Sequence, residues 1–188
     1  MYLDDINNCI EVLQKGGLIL YPTDTVWGIG CDATNEMAVA KIYQLKQRIE
    51  TKKMIVLMST QKDVMKYVDH LDLTIFDYLE SVTKPTTVIY EGVNGLANNI
   101  LGDDSSVAIR ICQDEFCKQL IKKFQRPIVS TSANVSGHQT PSYFSEIDNV
   151  ILYGVDYIVQ YRREDNVPKE SSSIIKWYNN GEIEVIRK

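Results

Sequence analysis

The chain has 188 residues, a hydrophobic fraction of 44% and a charged fraction of 24%, which is the balance of an ordinary globular protein and excludes disordered, collagen-like and coiled-coil chains. The length predicts one domain over residues 1–188. The formal net charge of -5 argues against a generally basic nucleic-acid-binding protein, although it allows a local basic cleft.

The sequence indicates a cytoplasmic protein with no membrane partner. Its start, MYLDDINN, is acidic where a signal peptide carries positive charge, and no apolar run approaches the ~18 residues of a membrane span. No C-x-x-C pair occurs among the cysteines, which favours reduced apolar fillers over zinc ligands. They are Cys9, Cys31, Cys112 and Cys117.

The apolar pattern alternates between helical and strand spacing along the chain. In chain order it predicts a helix at residues 4–15, a strand at 18–21, a helix at 35–45 capped by Asn35, a strand at 54–58, a helix from 60 towards 70, a helix around 75–79, strands at 86–90 and 107–112, a helix at 114–124, a strand at 127–129, and strands at 173–178 and 182–186. The last two flank Asn179-Asn180-Gly181, a type I′ hairpin signal. This order predicts an α/β fold, bordering on α+β, with a mixed sheet.

Polar residues follow the first predicted strand, in the segment Tyr21-Pro-Thr-Asp-Thr-Val-Trp-Gly28. Pro22 ends the strand because it lacks an N–H donor, and Thr23, Asp24 and Thr25 then supply hydroxyl and carboxylate groups. Ligands bind at such strand ends in open α/β sheets. The segment is therefore either a ligand loop or a turn held by local side-chain-to-backbone bonds.

Four cations, Lys46, Arg48, Lys52 and Lys53, stand directly before the predicted strand at 54–58. In a chain that is acidic overall, this local cluster indicates an anion site of phosphate type. The alternative is a solvated face that interacts favourably with a helix C-terminus.

One arginine interrupts the predicted strand at 107–112. Arg110 lies four residues after Ser106, so both side chains are expected on the same face. An arginine among apolar neighbours needs an anionic partner. That partner is either a carboxylate of the chain or a bound carboxylate or phosphate held by the guanidinium fork.

The segment Ser130-Thr-Ser-Ala-Asn-Val-Ser-Gly137 follows the predicted strand at 127–129 with small hydroxyl and amide groups. These predict a polar cradle for phosphates or a nucleotide, with a capped turn as the alternative. The sequence has no Walker A loop and no G-x-S-x-G elbow, which argues against P-loop and serine-hydrolase chemistry.

Together these motifs resemble the YrdC-like threonylcarbamoyl-AMP synthase family, in order and spacing over nearly the whole chain. The points of similarity are Tyr21-Pro-Thr-Asp-Thr-Val-Trp-Gly, Leu45-Lys-Gln-Arg with Lys52, Val107-Ala-Ile-Arg, and Ser130-Thr-Ser-Ala-Asn-Val-Ser-Gly. The resemblance implies the short, single-domain form. It also implies a twisted mixed sheet, flanked by helices around a concave basic cleft, as in dihydroxybutanone-phosphate synthase.

The resemblance implies a nucleotidyltransferase that makes threonylcarbamoyl-AMP and pyrophosphate from L-threonine, bicarbonate and ATP. The product would feed the threonylcarbamoyladenosine modification of tRNA through downstream threonylcarbamoyl-transfer proteins, with tRNA itself as a further candidate contact. Mg²⁺ would bridge the ATP phosphates, and no protein side chain is identified as its ligand.

The resemblance also implies a role for individual residues. Its lysine-x-arginine and serine-x-asparagine patterns place the catalytic groups at Lys46, Arg48, Ser132 and Asn134. Threonine would contact Thr25, Leu57, Arg110, Ser132 and one of Ser172 and Ser173. ATP would contact Arg48, Lys52, Ser106, Asn134, Ser142 and Arg187.

Some residues depart from the family pattern. Trp27 replaces a tyrosine, Leu57 a polar residue, and Ile49 and Cys112 each a proline. These departures concern the threonine pocket rather than the phosphate-binding cations. Two alternatives stay open: a double-stranded RNA or tRNA-binding module without turnover, and a phosphosugar enzyme, for which the sequence lacks an evident carboxylate-rich metal site.

Overall fold

The computed structural model describes residues 2–178 and 181–188, and over these residues nine strands form one sheet. Their bounds are β1 Ile19–Tyr21, β2 Gly28–Asp32, β3 Ile55–Met58, β4 Thr86–Tyr90, β5 Val107–Ile111, β6 Ile128–Ser132, β7 Tyr157–Ile158, β8 Ser173–Trp177 and β9 Ile183–Arg187. The order across the sheet is β7-β1-β2-β6-β3-β5-β4-β8-β9. Three neighbouring pairs are parallel (β1/β7, β3/β5, β4/β8) and the other five are antiparallel, which confirms the predicted mixed sheet.

Helices pack against this sheet and against one another. They are α1 Leu3–Gln14, α2 Glu36–Leu45, α3 Gln61–Val64, α4 Thr74–Ser81, α5 Glu115–Phe124 and α6 Asn149–Gly154. The cap at Asn35 is confirmed, because its side chain accepts the N–H groups of Met37 and Ala38 at the start of α2. In the described part of the chain, no helix combines the length and the apolar character needed to cross a membrane.

The sheet register separates an apolar face from a face of small residues. Cys31, Val129, Val56, Ile109, Val88 and Ile175 are successive partners across six strands, and all are buried. Side chains alternate between the two faces along each strand. The next row, Gly30, Ser130, Ile55 and Ala108, therefore faces the other way, and of its members Ser130 and Ile55 line a cleft.

Strand β2 was not predicted, because Gly28 and Gly30 in its sequence are typical of a loop. The structure shows why a strand carries glycine there. A Cβ on Gly30 would lie 2.7 Å from Cε1 of Tyr21, and one on Gly28 would lie 2.9 Å from Oγ of Ser130. The glycines therefore allow neighbouring side chains to lie across the sheet.

Other boundaries differ from the predictions. The strand predicted at 127–129 continues to Ser132, since its polar end pairs with β2. The helix predicted from 60 towards 70 ends at Val64, and Val68 instead forms a bridge with Val93. The predicted β8/β9 hairpin is confirmed as an antiparallel pair, while Asn179 and Asn180 of its predicted turn lie outside the described residues.

Candidate active site

A cleft with an empty volume of about 710 Å³ opens on the face of small residues. Residues with hydroxyl side chains from four parts of the chain line it. They are Thr25, Ser130, Thr131, Ser132, Thr140, Ser171 and Ser172. Four cations also line it: Arg48, Lys53, Arg110 and Arg187. Among the described lining residues there is no carboxylate, so the cleft is suited to anions.

Arg48 is fixed in place by local backbone geometry. Gln47 adopts a left-handed conformation with φ of +50°, which turns the chain at the end of α2. The Arg48 N–H then donates to the Tyr43 carbonyl over 2.9 Å. Its guanidinium donates to the carbonyls of Lys52 and Lys53 over 2.7 and 2.9 Å. Burial lowers the pKa of Arg48 below its ordinary value, but an arginine stays protonated, so the cleft holds a permanent, oriented charge.

Lys46 has a different environment from Arg48. Its side chain is 1% exposed, and its ammonium donates to the main-chain carbonyls of Ser132 and, over 2.6 Å, Asn134. Burial, with a smaller effect from the Arg48 charge, lowers the pKa of Lys46 to about 7. Lys46 therefore binds main-chain carbonyls, and it lies outside the described lining of the cleft.

Arg110 combines the two alternatives that the sequence left open. Its Nη2 lies 3.1 Å from the Asp24 carboxylate, while the guanidinium also lines the cleft. Asp24 in turn accepts the Gln113 N–H over 3.0 Å. Among the described residues, Nε of Arg110 is buried without a hydrogen-bond partner. The side chain is thus anchored at one edge and has donor capacity left at another.

The C-terminal strand contributes to the wall of the cleft. Nε and Nη2 of Arg187 donate to the Ser172 carbonyl over 3.0 and 2.8 Å. The Ser172 hydroxyl lies 2.8 Å from the hydroxyl of Thr87. Of the two serines left ambiguous by the sequence, Ser172 lines the cleft, whereas Ser173 is in β8 and pairs with Thr86. Burial and the Arg110 charge lower the pKa of Arg187 below its ordinary value.

Other predicted site residues lie outside the described lining. Lys52 is exposed, and its neighbour Lys53 lines the cleft instead. Leu57 is fully buried in β3 opposite Arg110. Ser106 precedes β5, where its N–H donates to Asp104 over 3.1 Å. Asn134 donates its amide to the carbonyls of Val135 and His138.

Ser142 lies beside the cleft rather than in it. It lines a small neighbouring cavity together with Thr23, Arg162 and Lys169. Thr25 and Trp27 line both spaces, so they form the partition between them. The Ser142 N–H donates to the Glu146 carboxylate over 2.7 Å.

Several lining residues were not assigned to the site from the sequence. Lys53 belonged to the predicted cation cluster, and Ser130 and Thr131 to the predicted polar segment, so a weak signal existed for these three. Thr140 and Ser171 are hydroxyls without a recognisable pattern. Trp27, noted as a departure, packs on Phe144 with ring centroids 4.9 Å apart and is only 6% exposed.

The donor set of the cleft is made of hydroxyls and cations. Across residues 2–178 and 181–188, no group of three or more His, Cys, Asp or Glu side chains is arranged to hold a metal ion.

Comparisons with known proteins match nearly the whole chain. The family model of the Sua5, YciO and YrdC proteins, described as "Telomere recombination", matches residues 11–188. The threonylcarbamoyl-AMP synthase of Psychromonas ingrahamii is 37% identical over 136 residues, which are 70% of this chain and 71% of that protein. The threonylcarbamoyl-AMP synthase of Pseudoalteromonas translucida is 30% identical over 177 residues, 93% of each chain.

Solved structures share the fold. E. coli YciO matches with a TM-score of 0.84 at 22% identity, covering 98% of this chain and 89% of that one. P. abyssi Sua5, determined in complex with L-threonine, also matches with a TM-score of 0.84, at 21% identity. The match covers 97% of this chain and 53% of that protein, so the chain spans about half the length of P. abyssi Sua5.

Proposed function

The chain belongs to the Sua5/YciO/YrdC family, and we propose that it is a threonylcarbamoyl-AMP synthase that converts L-threonine, bicarbonate and ATP to threonylcarbamoyl-AMP and pyrophosphate. The observation that carries this proposal is the placement of Arg48, Lys53, Arg110 and Arg187 around one cleft lined with hydroxyls. Two of the three substrates are anions at neutral pH, and the third carries a carboxylate. The identity to threonylcarbamoyl-AMP synthases over most of the chain supports the same conclusion.

The reaction we propose needs no covalent intermediate on the protein. The threonine amine attacks bicarbonate, water leaves, and a carbamate forms. An oxygen of the carbamate then attacks the α-phosphorus of ATP, and the bond from that phosphorus to the bridging oxygen of pyrophosphate breaks. The task of the protein is to hold the reactants together and to neutralise the charge that builds on pyrophosphate.

The cations divide between these tasks by their position. Arg48 and Lys53 come from the segment between α2 and β3, and we assign them to the triphosphate. Arg110 comes from β5 and lines the cleft, and a guanidinium suits a carboxylate. We assign it to the threonine carboxylate, with Thr25 and Ser132 nearby as hydroxyl donors.

Mg²⁺ enters this scheme as part of the substrate, MgATP. Magnesium keeps several waters and binds phosphate oxygens readily, so a cleft without its own carboxylates is compatible with it. We place the reaction in the cytoplasm, where a tRNA-modifying pathway would use the product.

Some site residues predicted from the family resemblance lie outside the described lining of the cleft and stay predictions. The predicted ATP contacts among them are Asn134, Ser142, Ser106 and Lys52. The predicted threonine contacts among them are Leu57 and Ser173.

The proposal is tested with purified protein, MgATP and bicarbonate, by measuring pyrophosphate release with individual amino acids. We expect release to require bicarbonate and to favour threonine over valine, because a site that hydrogen-bonds a hydroxyl rejects an analogue that lacks it. Equal rates with threonine and valine would contradict the threonine assignment, and release without bicarbonate would contradict the carbamate step. Mass spectrometry of the product separates threonylcarbamoyl-AMP from plain ATP hydrolysis.

A further inference from the structure

The Lys46 ammonium is directed at main chain, although Lys46 stands only two residues before Arg48. Its side chain is 1% exposed and donates to the carbonyls of Ser132 and Asn134. By contrast, Arg48 and Lys53 line the cleft. The cations that are clustered in the sequence are therefore separated in the structure. Arg48 and Lys53 line the cleft, whereas Lys46 is buried outside its lining.

Three hydrogen bonds join Lys46 to the last residue of β6 and to the segment that follows it. Two come from the ammonium, to Ser132 and, over 2.6 Å, to Asn134. The third runs the other way, from the Ser136 N–H to the Lys46 carbonyl over 2.8 Å. Ser132, the last residue of β6, lines the cleft. Lys46 thus connects the end of α2, which leads to Arg48, with the end of β6, which carries Ser132.

We propose that Lys46 is a positioning residue rather than a phosphate ligand, and that it fixes the spacing of Arg48 and Ser132 across the cleft by binding the Ser132 and Asn134 carbonyls. This inference rests on the proposed function for the identity of the ligands, and it deepens that function. It replaces the role that the lysine-x-arginine pattern implied for Lys46.

The chemistry of the amine sharpens the inference. An ammonium has three N–H donors, and a neutral amine still has two. Two donors are enough for the two carbonyls that Lys46 binds. The positioning role therefore needs hydrogen-bond donors but not a positive charge, whereas a phosphate ligand needs the charge. A neutral side chain with an N–H₂ group distinguishes the two roles.

The first test uses the unmodified protein. Lysines are reductively methylated with formaldehyde and dimethylamine-borane, with and without MgATP, and quantified by mass spectrometry. We expect Lys46 to react at least ~10-fold more slowly than Lys53 in both states, because a buried amine reacts only after local opening. Rapid modification of Lys46 that MgATP suppresses would overturn the inference. Protection of Lys53 by MgATP tests the proposed ATP site instead. The positioning role of Lys46 and the proposed ATP site can therefore be contradicted independently.

The second test compares Lys46→Gln with Lys46→Met, and both with Arg48→Gln, by pyrophosphate release below the unfolding temperature of each variant. We expect Lys46→Met to lower kcat/KM by about 10- to 100-fold for both MgATP and threonine, because a small displacement misaligns both substrates. We expect Lys46→Gln to keep most of the kcat/KM that Lys46→Met loses, because its amide still donates hydrogen bonds. We expect Arg48→Gln to lose kcat/KM, because its amide does not replace the positive charge. Equal defects in Lys46→Gln and Lys46→Met, confined to the KM for MgATP, would instead support a phosphate contact.

Lys41, within α2, provides a control that shares the hydrogen bond to a carbonyl but is exposed where Lys46 is buried. Lys41 also donates its ammonium to a main-chain carbonyl, that of Gly16, over 2.7 Å, but it lies away from the cleft. Lys41→Met removes a bond of the same kind without touching the connection between α2 and β6. If Lys46→Met has a kinetic defect no larger than that of Lys41→Met, Lys46 is only a structural residue and the inference is wrong.

Discussion

The Asp24 carboxylate and the Arg110 guanidinium lie 3.1 Å apart, and their side chains are 8% and 5% exposed. A buried ion pair is strongly coupled to its surroundings, since removal of one partner leaves an uncompensated buried charge. Asp24 comes from the loop after β1 and Arg110 from β5, so the pair ties two elements of the cleft together. It also orients the guanidinium before any substrate arrives.

We expect Asp24→Asn to lower the free energy of unfolding by about 3 kcal/mol, because it leaves the Arg110 charge buried without its partner. Urea unfolding at neutral pH measures this change. Asp165→Asn is the matched control, since Asp165 pairs with Arg162 over 2.6 Å but its side chain is 46% exposed. Arg162 keeps its second partner, Asp114, so the loss in this control should be at most about 1 kcal/mol, and equal losses in the two variants would contradict the prediction.

Arg110→Lys separates binding from stability at the same site. A lysine can keep an ion pair with Asp24 but cannot reproduce the two-pronged guanidinium contact to a carboxylate. We expect the KM for threonine to rise by about 10-fold or more, the order of one lost charge-assisted hydrogen bond, while the KM for MgATP changes much less. An unchanged KM for threonine in a folded variant would limit Arg110 to its ion pair.

Arg48→Ala tests the phosphate site. Removal of one preorganised electrostatic donor costs ~2–4 kcal/mol of transition-state stabilisation, so we expect kcat/KM for MgATP to fall by about 30- to 1000-fold. Because the guanidinium also binds the carbonyls of Lys52 and Lys53, stability should fall by about 1–2 kcal/mol. Turnover and unfolding are measured on the same variant. Lost turnover that only follows global unfolding would mean that Arg48 is structural.

Lys53 and Lys52 form a natural comparison beside Arg48. Lys53 lines the cleft, and Lys52 is exposed outside it. We expect Lys53→Ala to raise the KM for MgATP more than Lys52→Ala does, and neither variant to lose more than about 1 kcal/mol of stability. The opposite order would mean that Lys52 moves to the phosphates when ATP binds.

The sequence predicted most of the elements because their apolar spacing is strong. The helix that becomes α5 shows this well: Phe116, Leu120 and Phe124 are all buried, and the Asp114 carboxylate accepts the Cys117 N–H at its start. Strand β2 was not predicted, and the reason is physical. Its glycines are dictated by the Tyr21 ring and the Ser130 hydroxyl on neighbouring strands, which are contacts that no local pattern contains.

In the candidate site, too, the sequence did not reveal contacts between distant parts of the chain. Residue type and order singled out Arg48, Arg110 and the segment that contains Ser132, because cations and hydroxyls at strand ends are unusual, and these three residues line the cleft. Residue type and order could not show that the Lys46 ammonium turns inward to the carbonyls of Ser132 and Asn134. That direction depends on where the chain leaving α2 meets the end of β6, which brings together residues 86 and 88 positions apart.

The environment of Lys46 also predicts how stability depends on pH. Its pKa in the folded protein is about 7, below the ordinary lysine value that applies to the unfolded chain. Between these two values the unfolded state binds more protons than the folded state, so the free energy of unfolding rises with pH. Below about pH 7 both states are protonated, and this contribution to the slope disappears.

We therefore expect the stability of the wild-type protein, relative to Lys46→Gln, to increase between about pH 7 and pH 9 by at least ~1 kcal/mol, against a limiting slope of about 1.4 kcal/mol per pH unit. Urea unfolding across this range measures both proteins, and their difference cancels the titration of the groups they share. Lys46→Met provides a second reference without an ionisable amine. If the two stability curves stay parallel over the range, Lys46 keeps its positive charge in the folded state, and the carbonyls of Ser132 and Asn134 stabilise that charge more strongly than burial opposes it.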